Sequence, residues 1–159
     1  VSWLTRLFGG GGAPDAGWNI GDEVRAEGES WKVTATVGYT GGASGWRTYK
    51  LARGSRTIWV TVAGDDVTRY DSLPDVQVQD GRATWNGRTF ERSEHGTLTI
   101  TDATGDVDGA AGDRAEYETL VCAADDSRWI SVERWIGGRT EVSAGRAWRV
   151  ERVVPGRER

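Results

Sequence analysis

From Ile20 onward, apolar and polar residues alternate at the period of a β-strand. Between Ser30 and Tyr39, the side chains of Trp31, Val33, Ala35, Val37 and Tyr39 share one face, while Ser30, Lys32, Thr34 and Thr36 take the other. Val24 precedes this run across a Glu27-Gly28-Glu29 turn, and Gly41 to Gly45 forms a loop after it. Trp46–Arg53 and Arg56–Ala63 then read as a hairpin around Gly54-Ser55. Gly64-Asp65-Asp66 turns the chain, and Ser72-Leu73-Pro74 is a connector. Asp80-Gly81 and Asn86-Gly87 are strong turn dipeptides that bracket a strand at Arg82–Trp85. Further strands are expected at Thr97–Thr101, Asp113–Cys122, Arg128–Trp135, Thr140–Ser143 and Ala147–Arg152. No stretch of ten residues after Gly12 keeps helical spacing. The expected fold is all-β, a compact barrel- or sandwich-like domain over residues 18–152 with a tail at 153–159.

The strands carry an internal likeness. Gly28-Glu-Ser-Trp31 matches Gly87-Arg-Thr-Phe90, Tyr49-Lys-Leu51 matches Tyr117-Glu-Thr-Leu120 with one residue of slack, and Trp59-Val-Thr-Val62 matches Trp129-Ile-Ser-Val132 position by position. Two related antiparallel units follow, at 20–71 and 75–152, each of about five strands and each too small to be comfortable alone. They are expected to pack together or share a barrel. Trp59 and Trp129 stand opposite the aliphatic faces of their strands, so they either fill the seam between the units or form an aromatic binding surface. Trp18, Trp46, Trp85, Trp135 and Trp148 are read as core or hairpin-pair residues.

Residues 1–17 differ from everything that follows. Trp3, Leu4, Leu7 and Phe8 fall on one face at helical spacing, and Gly9 to Gly12 end any helix. Eight residues are too few for an isolated helix in water, where even about 12–15 are marginal. This segment must dock to be ordered, either on its own domain or as a foot on a membrane surface or partner protein. A valine start in a chain without methionine reads as an alternative start codon, which would keep the segment native.

Composition narrows the chemistry. The 159 residues include one histidine, one cysteine and nine tryptophans, which removes most His- or Cys-based metal sites and any scheme needing two histidines. Cys122 cannot form an internal disulfide, in keeping with a reducing cytoplasm. Twenty basic residues against twenty-four acidic give a net charge of −4, which disfavours a nucleic-acid binder. His95 lies in a Glu94-His-Gly96 turn with no nucleophile pattern around it. Asp102-Ala-Thr-Gly-Asp-Val-Asp-Gly109 looks like a calcium loop, but counting Gly109 as sixth puts Thr104 first and Ala115 twelfth. Asp102, Asp106 and Asp108 are therefore weak candidates for a divalent cation or polyamine within an acidic 102–118 loop.

Ile20-Gly-Asp-Glu-Val24, Gly28-Glu-Ser-Trp-Lys-Val33, Trp46-Arg-Thr-Tyr-Lys-Leu51 and Trp59-Val-Thr-Val62 resemble a bacterial family, domain of unknown function 4178. Glu116-Tyr117, Trp129-Ile-Ser-Val-Glu133 and Glu141-Val-Ser-Ala-Gly145 look like its closing elements, and Thr48 departs from it where an acid is expected. The resemblance spans about residues 18–150 and carries no catalytic residues. It implies an accessory protein encoded beside small membrane proteins and spermidine-synthase-like proteins, in gene clusters that look like envelope-stress systems.

The leading expectation is a non-catalytic cytoplasmic β-module, peripheral on the inner face of the membrane, that binds a protein or membrane partner through Trp3, Leu4, Leu7 and Phe8. No cofactor is expected. The alternatives are cation or polyamine binding at 102–118, an enzyme using paired carboxylates such as Asp65, Asp66, Asp106 and Asp108, and a single-stranded nucleic-acid binder.

Overall fold

A computed structural model describes residues 17–42 and 44–156. Val1–Phe8, with its candidate docking residues Trp3, Leu4, Leu7 and Phe8, lies outside them, as does nearly all of the glycine-rich linker. The described chain is all-β. Its eleven strands are β1 (Glu23–Ala26), β2 (Glu29–Gly41), β3 (Ser44–Arg53), β4 (Arg56–Ala63), β5 (Asp66–Ser72), β6 (Arg82–Trp85), β7 (Arg88–Gly105), β8 (Arg114–Cys122), β9 (Asp125–Trp135), β10 (Thr140–Ala147) and β11 (Val150–Val154). Among the described residues, no helix is long and apolar enough to cross a membrane.

The strands run in the order β11-β1-β2-β3-β4-β5-β10-β9-β8-β7-β6, and β2 also pairs with β7. That last pairing closes β2, β3, β4, β5, β10, β9, β8 and β7 into an eight-stranded antiparallel barrel, leaving β1 with β11 and β6 as additions outside the ring. One strand, β2, makes the closure by serving three partners. Its first residues pair with β1, most of its length with β3, and residues 35–40 with β7. Register shifts at Val33/Ala35 and Gly38/Tyr39 give it the bend this needs. Across the closure, Arg47 of β3 donates two hydrogen bonds to the Asp102 carboxylate of β7, at 2.7 and 2.9 Å.

Turn chemistry explains much of the order. Glu27-Gly28, Asp80-Gly81 and Asn86-Gly87 each place two successive residues at positive φ, the backbone that a tight two-residue hairpin requires. Glutamate is an unusual choice there, and Glu27 is held by Arg146, whose two guanidinium nitrogens lie 3.0 Å from its two carboxylate oxygens.

Over β3–β4 and β8–β9 both faces of the barrel wall are buried, and alternate residues of each strand serve different faces. Outside β3 and β4, Tyr49, Leu51, Ile58, Val60 and Val62 cluster with Val24, Trp31 and Trp148. Outside β8 and β9, Leu120, Cys122, Ile130 and Val132 cluster with Ala83 and Phe90, and Leu73, Val76 and Val78 pack against them. The remaining face points into the barrel.

Several details differ from the sequence reading. The segment expected as a short strand at Thr97–Thr101 is part of the 18-residue β7, which also contains His95 and Asp102. His95 is therefore exposed on a strand opposite Glu118, not on a turn. The apolar alternation that marks other strands is missing from Glu91 to Thr97, because β7 there is mostly exposed and held by its pairing with β8. The strand at Asp66–Ser72 has no apolar period to mark it in the sequence, since its buried positions include Thr68 and Arg69. The meanders β1–β5 and β6–β10 have the same strand order, and Trp31 and Phe90, or Trp59 and Trp129, occupy corresponding places. This is a correspondence of topology. The two meanders do not stack as separate sheets; each supplies half of one ring.

Candidate functional site

All eight ring strands send side chains to one internal cavity of about 360 Å³. On β4, Ile58, Val60 and Val62 go outward while Thr57, Trp59 and Thr61 line the cavity. On β9, Ile130 and Val132 go outward while Ser131, Glu133 and Trp135 line it. The inward faces of β4 and β9 are thus hydroxyl-rich and aromatic, while Leu98 and Ile100 of β7, with Val107 and Val142, give the cavity an aliphatic patch. Thr119, Ser131, Ser143 and Ser72 are in register on β8, β9, β10 and β5, forming a belt of hydroxyls along the wall. Thr48 and Thr61 face each other on β3 and β4 with their Oγ1 atoms 3.1 Å apart.

Three aromatic side chains pack closely against glycines of a neighbouring strand. The Trp129 indole covers Gly145, its direct partner on β10. The Tyr117 ring covers Gly96, its direct partner on β7, and the Trp46 ring covers Gly41. Trp46 also stacks on Tyr39, with ring centroids 5.7 Å apart and planes inclined by 21°. Rings laid against the wall in this way fill gaps left by glycine and leave the middle of the barrel open. Eight-stranded barrels have room for either a packed interior or one small ligand, and this one keeps the room.

The charges are unevenly satisfied. Lys50 donates to the Asp106 backbone carbonyl at 3.0 Å and to its carboxylate at 3.2 Å. Arg139 pairs with Glu141 at 3.1 Å and lies over the Trp135 ring, 5.4 Å from its centroid. Both Arg139 and Glu141 are exposed and form a rim. Below that rim, Glu133 stands opposite Glu141 on one side and Tyr117 on the other, and no cation among the described residues pairs with it. Burial, reinforced by Glu141, pushes the Glu133 carboxyl up to about 7, against a weaker opposing pull from Arg139 and the nearby Trp135 indole N–H. Glu133 is deep among protein atoms, yet it keeps some accessible surface because it faces the cavity. Tyr39 and Tyr70 both feel its charge: burial first, then Glu133, raises their phenol pKa values.

The residues singled out from sequence scatter around this cavity. Trp59 lines it, and Trp129 clusters with Trp46, Tyr70 and Val121, so each indole meets residues of the other half. Trp135 belongs to a buried core cluster and Trp46 stacks on its hairpin partner Tyr39, as expected of core or hairpin-pair residues, and both also line the cavity. Asp102, Asp106 and Asp108 do not converge. Asp102 is tied to Arg47, Asp106 to Lys50, and Asp108 is exposed at the cavity edge. Among the described residues, no three His, Cys, Asp or Glu side chains are grouped to hold a metal ion. Asp65 and Asp66 are exposed in the β4–β5 turn. Cys122 is buried beside Leu120.

The fold and its lined interior define a closed antiparallel β-barrel with an internal cavity. Residues 19–149 match the family described as "Domain of unknown function (DUF4178)", and the chain belongs to that family. No curated protein and no solved structure matches the chain.

Proposed function

We infer that this protein is a non-catalytic binding barrel that takes one small amphipathic molecule into its lumen. A single observation carries the reading. Every ring strand turns one face to a shared cavity, and seven of the eight supply tryptophan, tyrosine, hydroxyl or charged groups there, with Leu98 and Ile100 of β7 as an apolar patch. Inward hydroxyls and carboxylates add less to a barrel's own stability than aliphatic packing would, and with aromatics beside them they are the mixture that ligand pockets use. The volume, about 360 Å³, falls in the range of small-molecule sites. Titration with a neutral fluorescent dye, N-phenyl-1-naphthylamine, tests the reading directly, using a variant whose lumen has been filled as the control.

A hydrolytic enzyme is the second reading, favoured by the cross-strand pair Glu133 and Glu141 in the cavity. Both acids lie on one wall, and Arg139 engages Glu141. A pair that works as acid and base flanks its substrate from two sides, so the binding reading is preferred. Attachment to a membrane or protein partner through Trp3, Leu4, Leu7 and Phe8, on the cytoplasmic face, is a separate proposal that the barrel neither needs nor opposes.

A further inference from the structure

We propose that the molecule held in the lumen is a small organic ammonium ion, with its nitrogen against Glu133 and its carbon skeleton among Tyr39, Tyr117 and Trp135. This rests on the lumen-binding reading above and adds the chemical class of the ligand.

The cavity places an unmatched charge in an aromatic chamber. Five charged side chains line the cavity: Lys50, Asp108, Glu133, Arg139 and Glu141. Each cation is already engaged by an acid, Lys50 by Asp106 and Arg139 by Glu141. Asp108 is exposed at the edge, where water can solvate it. Of the acids that line the cavity, Glu133 is left as the one that is neither ion-paired among the described residues nor exposed. An acid in such a place is costly when charged unless a positive group joins it. The elements around it supply no such group. From β10 it meets Glu141, from β8 Tyr117, from β2 and β5 the phenols of Tyr39 and Tyr70, and from its own strand Trp135. Arg139, the cation whose charge reaches Glu133, is paired with Glu141 and lies over the Trp135 ring. Aromatic walls attract organic cations through their ring faces, most strongly where water is excluded. An anion would meet two carboxylates, and a neutral molecule would leave Glu133 uncompensated.

The test compares choline with its uncharged isostere, 3,3-dimethylbutan-1-ol, by calorimetry at pH 8 on the full chain and on Glu133→Gln. The expected result is a preference for choline of more than about tenfold in wild type. That preference is lost in E133Q, while binding of the isostere is retained. Equal binding of the two probes, a preference that survives E133Q, or no choline binding by a barrel that takes N-phenyl-1-naphthylamine would overturn the proposal and leave the lumen reading standing. Failure to bind the dye as well would overturn both. If E133Q does not fold, the wild-type protein still decides the matter. At pH 6, choline binding must release protons, seen as a dependence of the apparent enthalpy on the ionisation heat of the buffer. Binding without proton release contradicts the role given to Glu133.

Discussion

Trp129 on β9 lies so closely over Gly145, its direct partner on β10, that a β-carbon placed at Gly145 would stand 2.6 Å from the indole Cε2. The pair sits beside the junction of the two meanders, because Gly145 also pairs with Tyr70 of β5. The indole and the Tyr70 hydroxyl interact as well. One missing side chain thus sets where a large one lies, and the large one closes the join.

Gly145→Ala should therefore destabilise the barrel by about 1–3 kcal/mol, the usual range for forcing extra atoms into a packed site. Gly45→Ala is the matched control, since a β-carbon there meets nothing closer than 3.4 Å. Urea denaturation of both variants checks this, and equal midpoints would show that the Trp129 contact carries no constraint.

Glu133 predicts a particular dependence of stability on pH. Its folded pKa is raised, to about 7, from an ordinary value of 4.5. Below 4.5 both folded and unfolded states hold the proton and there is no penalty. Between 4.5 and 7 the unfolded chain releases it first, so this group's contribution falls as pH rises and levels off above 7. Glu133→Gln should remove that slope and gain on the order of 2 kcal/mol at pH 8. Thermal or urea melts from pH 4 to pH 8 measure it.

Glu118 predicts the opposite sign. Its side chain is 3% exposed and lies between Arg92 and Arg134. Burial pushes its pKa up, but the two guanidinium groups outweigh burial and hold it below 4.5. Its contribution is present above pH 4.5 and is lost as pH falls through the lowered value. Glu118→Gln should cost about 1–3 kcal/mol at pH 7 and progressively less in acid. An E118Q variant as stable as wild type at pH 7 would show that the triad is neutral.

The scaffold was written plainly in the chain, and the lumen much less so. Clean alternation from Ser30 to Tyr39 and the Asp80-Gly81 and Asn86-Gly87 turns mark their strands locally, and Arg82–Trp85 was read to the residue. Closure was not local. It depends on β2 pairing with β7 about sixty-five residues away, and on a long β7 whose exposed middle has no apolar period. The lumen did leave a trace. In Thr57–Thr61 and Ser131–Trp135 the face opposite the aliphatics carries hydroxyls and aromatics, with Glu133 as its one charge. Such a face is neither a solvated surface nor an ordinary core. Tyr39, Tyr70, Tyr117 and Glu133 gave no signal, because only the register brings them together.

Deleting residues 1–8 tests the other proposal independently. The barrel should keep its unfolding midpoint and its dye binding, while any sedimentation with vesicles of bacterial anionic lipids should disappear. Unchanged sedimentation would remove Trp3, Leu4, Leu7 and Phe8 as a tether.

The central claim is that the barrel interior is a binding site, and filling it is the most direct test. Ser131 and Ser143 are cross-strand partners in the middle of the hydroxyl belt. Wild type should bind N-phenyl-1-naphthylamine with a blue shift in emission and energy transfer from the lumen tryptophans. Ser131→Phe and Ser143→Phe, shown to be folded by circular dichroism, should lose at least about tenfold in affinity, the effect of losing roughly 1.4 kcal/mol of binding energy. Equal dye affinity in wild type and both filled variants would contradict the account.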